Sequence, residues 1–123
     1  MHGILVIDDD EAIVLMITMA LARYGFNVEI ATDSTEGIRK FEEGCFDLVI
    51  TDIRMPGIDG NCVARRIRNS KKPSTPIVGM SGTPWLRDDR YFDAVLSKPF
   101  PIKVLVDTIK YLTTAPLKAQ VVE

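Results

Sequence analysis

The chain has 123 residues and a mass of 13.7 kDa, which is the size of one ordinary domain, and we expect no second one. Hydrophobic residues make up 46% and charged residues 26%, values typical of globular domains, so disordered and fibrous classes are excluded. With 15 basic against 17 acidic residues, the net charge of −2 offers no positive excess to bind a phosphate backbone, which argues against direct nucleic-acid binding.

Short apolar runs rich in β-branched residues predict five strands. Each run is three or four residues long and is bounded by polar or turn-forming residues. The continuous apolar character is typical of parallel strands that are buried on both faces. The predicted strands are Ile4–Ile7, Val28–Ala31, Leu48–Thr51, Ile77–Met80 and Ala94–Leu96.

Segments with helical periodicity separate these runs. A second helix begins near Ser34, with Asp33 and Glu36 at capping-box spacing, and ends at Gly44. A third follows the turn residues of 55–60. The first helix, which Gly25 ends, is predicted to bury one face made of Ile13, Met16, Ile17, Ala20, Leu21 and Tyr24. The last helix has an apolar stripe of Ile102, Leu105, Val106, Ile109 and Leu112.

Strands that alternate with helices predict right-handed crossovers and a doubly wound parallel sheet with helices on both faces. We place this α/β domain at residues 1–114 and a short, frayed tail at 115–123. In such sheets ligands bind at the carboxyl ends of the strands, near the switch in strand order. The chemistry of the protein is therefore expected at that edge.

The residues that follow the strands form a set suited to phosphoryl chemistry. Asp8 and Asp9 follow the first strand, Asp52 the third, Ser81 the fourth and Lys98 the fifth. Three carboxylates in one cleft repel one another unless a cation neutralises them, and Mg²⁺ suits a small carboxylate set completed by water and phosphate. A lysine and a hydroxyl can contact phosphoryl oxygens, and an aspartate can act as the nucleophile. The pattern predicts a Mg²⁺-dependent phosphoryl site.

The order of these motifs resembles the receiver domain of two-component response regulators. The motifs are Ile4 to Asp9, Leu48 to Asp52, Met55-Pro56-Gly57 with Asp59-Gly60, and Lys98-Pro99-Phe100. The resemblance extends from about residue 4 to residue 113. It implies a flavodoxin-like (βα)5 fold and a phosphorylation-dependent signalling switch, which is a protein-interaction module and not a turnover enzyme.

The resemblance also implies the acceptor and the metal ligands. Asp52 would accept a phosphoryl group from a sensor histidine kinase or a histidine phosphotransfer protein. Asp9 would bind Mg²⁺ directly and Asp8 partly through water. Asp52 itself and the backbone carbonyl of Arg54 would complete the protein ligands.

At the other strand ends, the resemblance implies a switch hydroxyl at Ser81, a phosphate-facing lysine at Lys98 and a cis bond between Lys98 and Pro99. Two features depart from the family pattern. Val95 stands where receivers usually have an aromatic residue three positions before the lysine. The interval from Ser81 to Lys98 is short and contains Pro84, so we expect a shortened fourth helix of at most two turns over 85–92.

Several nearby residues have simpler interpretations. Asp10 and Glu11 are expected to cap the first helix, because carboxylates are favourable at helix N-termini. Arg54 and Thr83 flank the site and could tune the lifetime of the acyl phosphate. Trp85, Tyr91 and Phe92 are more often local packing than a partner site, and His2 is given no role.

Two other functions stay open at this point. A phosphohydrolase of the haloacid-dehalogenase type also uses an Asp-x-Asp pattern after a first strand, here Asp8 and Asp10, but Glu11 and Ala12 do not continue its motif and no cap insertion encloses a substrate. A pseudo-receiver would keep the fold without phosphorylation, which Val95 and the short fourth helix allow and the intact acidic set opposes.

The sequence also sets expectations on partners and compartment. The residues from Met1 onward show no pattern of a basic leader or signal-peptide cleavage site, no apolar run reaches membrane-spanning length, and Cys45 and Cys62 match no metal or redox spacing. We expect a cytoplasmic protein without nucleic-acid or membrane partners, acting as a monomer or weak homodimer on an unidentified downstream protein. The kinase, the signal and the output target are not encoded in these patterns.

Overall fold

The computed structural model describes residues 3–55, 57–82 and 91–122, with backbone only from 115 onward. The described residues form five strands and four helices that alternate until β4. The strands are β1 (Gly3–Ile7), β2 (Asn27–Ala31), β3 (Leu48–Asp52), β4 (Ile77–Ser81) and β5 (Ala94–Ser97). The helices are α1 (Glu11–Arg23), α2 (Ser34–Glu43), α3 (Gly60–Arg68) and α4 (Ile102–Val122).

All neighbouring strands pair in parallel, in the order β2-β1-β3-β4-β5. The order reverses at β1, so the edge above β1 and β3 is the switch point at which such sheets bind ligands. Helices cover both faces, which confirms the doubly wound α/β fold. The expected short fourth helix falls mainly on residues 83–90, which lie outside the described part of the chain.

The sheet separates two apolar cores. On one face, β-strand residues such as Ile4 and Ile50 pack with Ile17 of α1 and Leu105 of α4. On the other face, the core of α2 and α3 surrounds Val49 and its neighbours. Burial of these wholly enclosed aliphatic side chains, each contributing about 2 kcal/mol, is the main force that holds the strand ends in place.

The predicted buried face of α1 was partly wrong. Ile17 and Leu21 are buried together with Val14, but Met16 is 48% exposed and Tyr24 is 51% exposed. Apolar residues occupy more than one side of this helix, so the spacing alone did not fix which side faces the sheet. Met19, on the same helix, is also 55% exposed.

The helix boundaries follow the predicted caps. The Asp10 carboxylate accepts hydrogen bonds from the backbone N–H groups of Ala12 and Ile13, which confirms its role as the N-cap of α1. Asp33 caps α2 through the N–H of Glu36. Gly25 follows the end of α1 with a φ of 87°, a conformation that favours glycine.

The carboxyl-terminal helix continues beyond the predicted domain. Its buried residues include Leu105, Val106 and Ile109, as the apolar stripe predicted. The helix runs on to Val122, so residues 115–122 are helical in backbone, and the division at residue 114 stays a prediction. No helix among the described residues combines the length and the apolar character needed to cross a bilayer.

Candidate phosphoryl site

Four predicted site residues meet at the carboxyl edge of the sheet. Asp8 directly follows β1, Asp52 ends β3, Ser81 ends β4 and Lys98 directly follows β5. The Lys98 ammonium lies 3.2 Å from an Asp8 carboxylate oxygen and 3.3 Å from one of Asp52. Asp8 is fully buried and Asp52 is 7% exposed. Residues up to 90 positions apart in sequence therefore share one buried ionic cluster.

Asp9 adds a third carboxylate at the solvent side of this cluster. Ligand oxygens of Asp8, Asp9 and Asp52 all lie within 4.8 Å of one another, with Asp9 exposed and the other two buried. Three carboxylates against one ammonium leave negative charge in excess. Hard oxygen donors at this spacing, open on one side to water, fit Mg²⁺, which keeps several water ligands. The donor set thus passes the chemical test for this ion.

The electrostatics of the cluster reflect burial and crowding. Burial raises the pKa of the Asp8 carboxyl above its ordinary 3.8, although the N–H of Asp10 and the Lys98 ammonium oppose the change. Burial also raises the pKa of Asp52, and the neighbouring charge of Asp8 adds to the effect. Burial acts to lower the pKa of Lys98, but the carboxylates of Asp52 and Asp8 outweigh it and the pKa is raised. Lys98 is therefore a firmly protonated counter-ion.

Backbone contacts fix the strand ends that carry these side chains. The N–H of Asp8 donates to the carbonyl of Ala31 at 3.1 Å, and the N–H of Asp10 donates to the Asp8 carboxylate at 2.9 Å. The second bond leaves an Asp8 oxygen committed to the protein and aims the other at Lys98. Both Asp8 oxygens are thus held by contacts within the protein, and the side chain is fixed in one orientation.

Ser81 and Lys98 are coupled through the backbone. Ser81 is 1% exposed, and its carbonyl accepts the Lys98 N–H at 2.8 Å. The peptide bond between Lys98 and Pro99 is cis, as the resemblance implied. Val95 is half-buried in β5, opposite Gly79 of β4.

The residues that flank the site differ in their exposure, and some lie outside the described part of the chain. Arg54 is exposed in the loop after β3, whereas Thr83, Trp85 and His2 lie outside the described residues. Tyr91 and Phe92 are half-buried against the core of α2 and α3, which supports local packing. Asp10 is committed to the N-terminus of α1, so the dehalogenase-type pairing of Asp8 with Asp10 is not formed.

Sequence reasoning missed two residues that shape the site. A Cβ on Gly60 would lie 2.7 Å from the Cα of Ile53, so only glycine allows α3 to begin this close to the end of β3. Ser34 is 4% exposed, and its hydroxyl donates to the carbonyl of Ile58 in the loop after β3. The turn pair Asp59-Gly60 was a signal in the sequence for Gly60, but no pattern indicated the contact made by Ser34.

Comparison with known sequences agrees with this geometry. The family model "Response regulator receiver domain" matches residues 4–110. The regulatory protein VanRB of Enterococcus faecalis is 34% identical over 117 residues, which cover 89% of this chain and 51% of that protein. The chain spans about half the length of the first curated relatives that it matches.

Solved structures give the same result. The response regulator TrrA of Thermotoga maritima, in complex with Mg²⁺-BeF, aligns with a TM-score of 0.84 at 33% identity and covers 91% of this chain and 99% of that one. A CheY-like receiver domain protein of Methanospirillum hungatei aligns with a TM-score of 0.89 at 27% identity, covering 97% and 98%. The strand order, the residues matched by the family model and the acidic cluster at the sheet edge therefore all indicate the same family.

Proposed function

The chain belongs to the response regulator receiver domain family, and on this premise we propose that Asp52 accepts a phosphoryl group from a protein phosphohistidine with Mg²⁺ bound at Asp8, Asp9, Asp52 and the Arg54 carbonyl. Domains of this family are signalling proteins and not turnover enzymes. The observation that carries the proposal is the buried cluster in which Lys98 contacts both Asp8 and Asp52.

The proposed step is an in-line transfer. An Asp52 carboxylate oxygen attacks phosphorus, an O–P bond forms, and the N–P bond to the donor imidazole breaks with its electron pair returning to nitrogen. Bound Mg²⁺ would neutralise the carboxylates and the charge on the transferring phosphoryl oxygens. The donor imidazole, which carries a proton on its other ring nitrogen, leaves as a neutral histidine, and the product on this chain is an acyl phosphate at Asp52.

Two residues of the chain are placed to hold the transferred group. The Lys98 ammonium lies 3.3 Å from an Asp52 oxygen, so after transfer it can bind a phosphoryl oxygen in place of the carboxylate. The Ser81 hydroxyl, at the end of the neighbouring strand, can donate to a second oxygen. Because the backbones of Ser81 and Lys98 are hydrogen-bonded, a new bond at either one strains the other, which supports a switch through β4 and β5.

A surface for the phosphodonor lies beside the site. Leu15, Met16 and Met19 of α1 are 48 to 60% exposed, which leaves an apolar strip on the helix that follows Asp8 and Asp9. A groove of about 420 Å³ continues from Met16 to Lys98 and is lined by Ile13, Met16, Lys98, Pro99 and Phe100. A donor that brings its histidine to Asp52 must cover this edge, so we assign the strip to the histidine kinase or phosphotransfer protein.

The acceptor is tested by intact-protein mass after incubation with Mg²⁺ and acetyl phosphate. We expect one added phosphoryl group on the wild type, none on Asp52→Ala and none in EDTA. Asp107→Ala serves as the matched control, because this carboxylate is exposed on α4 and pairs only with Lys103 in the described contacts. Mg²⁺ binding without uptake from any donor would contradict the proposal and favour the pseudo-receiver.

The donor surface is tested by Met19→Glu, with Val104→Glu as a control at a similarly exposed apolar position on α4. Met19→Glu should slow phosphorylation by a phosphohistidine protein and leave acetyl phosphate uptake unchanged. An equal effect of both variants, or none from Met19→Glu, would refute this assignment. The cytoplasmic location and the oligomeric state stay predictions.

A further inference from the structure

The loop that follows Asp52 is fastened at two points. Its base is closed where the N–H of Gly60 donates to the carbonyl of Ile53 at 2.9 Å, and a Cβ on Gly60 would collide with the backbone there. Its far end is closed by the Ser34 hydroxyl, which donates to the carbonyl of Ile58. Between these points lie Arg54 and Met55, two and three residues after the acceptor.

Ser34 is a buried and specific contact. It is 4% exposed, and its hydroxyl oxygen also lies 3.8 Å from the sulfur of Met55, which is itself 9% exposed. The hydroxyl therefore touches the loop at two of its residues. Among the described contacts, Ser34 is the residue of α2 whose side chain hydrogen-bonds to this loop.

The helix that carries Ser34 is a rigid base for this contact. The N-cap Asp33 accepts the Glu36 N–H at 2.7 Å, and the Glu36 carboxylate accepts the N–H of Thr32, the residue before the N-cap, at 2.9 Å. The strand that leads into it is bonded to Asp8 through the Ala31 carbonyl. The N-cap function is thus already filled by Asp33, and the Ser34 hydroxyl is used for the loop alone.

We propose that Ser34 is a positioning residue for the cation site, which fastens the loop from Asp52 to α3 so that the Arg54 carbonyl is held beside the Asp8–Asp9–Asp52 cluster. This inference rests on the proposed function, because it assumes that Arg54 supplies a backbone ligand. Groups that orient metal ligands typically change metal affinity 10- to 100-fold when they are removed. Since Ser34 acts on one neutral carbonyl among several ligands, we expect the lower end of that range.

The test is a Mg²⁺ titration by calorimetry on the whole chain, with Ser34→Ala, Ser34→Cys and the control Thr35→Ala. Thr35 is the next residue of α2 and is exposed. We expect Ser34→Ala to raise the Mg²⁺ dissociation constant about 10-fold. Ser34→Cys, which keeps the volume and a weak donor, should fall between it and the wild type, and Thr35→Ala should bind as the wild type does.

A second readout separates positioning from simple stability. Urea unfolding in EDTA and at one fixed, subsaturating Mg²⁺ concentration gives the stabilisation that the ion supplies. A merely structural Ser34 would lower stability equally in both conditions, whereas a positioning residue lowers the Mg²⁺-dependent increment at a fixed, subsaturating ion concentration. An unchanged dissociation constant in Ser34→Ala, with the wild type binding Mg²⁺ and taking up phosphoryl, would overturn this inference alone. A wild type that binds no Mg²⁺ would overturn it together with the proposed function.

Discussion

Removal of the Asp52 charge should stabilise the metal-free protein. The variant Asp52→Asn keeps the size of the side chain and ends its repulsion with Asp8 and Asp9, whose oxygens lie within 4.8 Å. At an effective dielectric constant near 20, each repulsion destabilises the folded protein by at least about 3 kcal/mol when both charges are shielded from solvent. The attraction to Lys98 at 3.3 Å, about 5 kcal/mol on the same scale, is lost as well.

These opposing terms nearly cancel, so burial decides the sign. Asp9 is exposed, and its repulsion is reduced by solvent. The desolvation of Asp52 remains, and it is the largest cause of the raised pKa of this carboxyl. We therefore expect Asp52→Asn to raise the free energy of unfolding at pH 7 in EDTA by about 1 to 2 kcal/mol, an ordinary size for the effect of one substitution.

The pH dependence follows from the same shift. Because the pKa of Asp52 is raised in the folded state, the native protein binds protons more tightly than the unfolded chain, and its stability falls as pH rises above 3.8. The advantage of Asp52→Asn should therefore be small near pH 3.8, grow with pH through the raised native pKa and then level off.

The assay is urea unfolding at several pH values, in EDTA and in Mg²⁺. Saturating Mg²⁺ should reduce or reverse the difference, because the ion stabilises the wild type by mass action. Asp107→Asn, an exposed carboxylate paired with Lys103, should change stability by no more than about 1 kcal/mol, without this pH dependence. An Asp52→Asn variant less stable than the wild type in EDTA at pH 7 would refute the account of a charge-crowded site.

Three further changes test the site and its supports. Lys98→Ala leaves two buried carboxylates without their ammonium and should cost about 3 to 5 kcal/mol in EDTA, partly restored by Mg²⁺ in the same urea assay. Gly60→Ala should destabilise by about 1 to 3 kcal/mol through its collision with the backbone at Ile53, whereas Gly82→Ala, where a Cβ meets no atom of the described residues within 4 Å, should have little effect on the unfolding midpoint. Asp10→Ala should lose about 1 kcal/mol of cap energy and keep acetyl phosphate uptake by mass, and a loss of uptake would return this carboxylate to the reacting centre.

The fold was predictable mainly because β1 and β3 are apolar runs that lead directly into aspartates. Leu48 to Thr51 are wholly buried and Asp52 ends the strand, so one local pattern gave both the element and the site residue. Parallel topology then placed Asp8, Asp52 and Lys98 at one edge without any knowledge of side-chain positions. The roles of these residues in catalysis stay predictions until uptake is measured.

Local patterns failed where two elements meet. The side of α1 that faces the sheet depends on packing with α4 and β1, and Met16 is as apolar as the residues that are buried. Ser34 contacts a carbonyl 24 positions away, and no short-range rule links the two. The exposure of Met16 and Met19 is the basis of the proposed donor surface, since exposed apolar patches are typical of surfaces that a partner covers.

The coupling between the acceptor and the surface follows from how few groups neutralise Asp52. Lys98 is the cation paired with it in the described contacts, and it also contacts Asp8, so any charge added to Asp52 must redistribute this one ammonium. Lys98 is bonded through its N–H to Ser81, and β4 and β5 are paired from Val78 to Ser81. Under the proposed function, a phosphoryl group bound by both Lys98 and Ser81 would act on two adjacent strands, and Val95 would respond only by packing, since it has no hydroxyl or ring to form a directed contact.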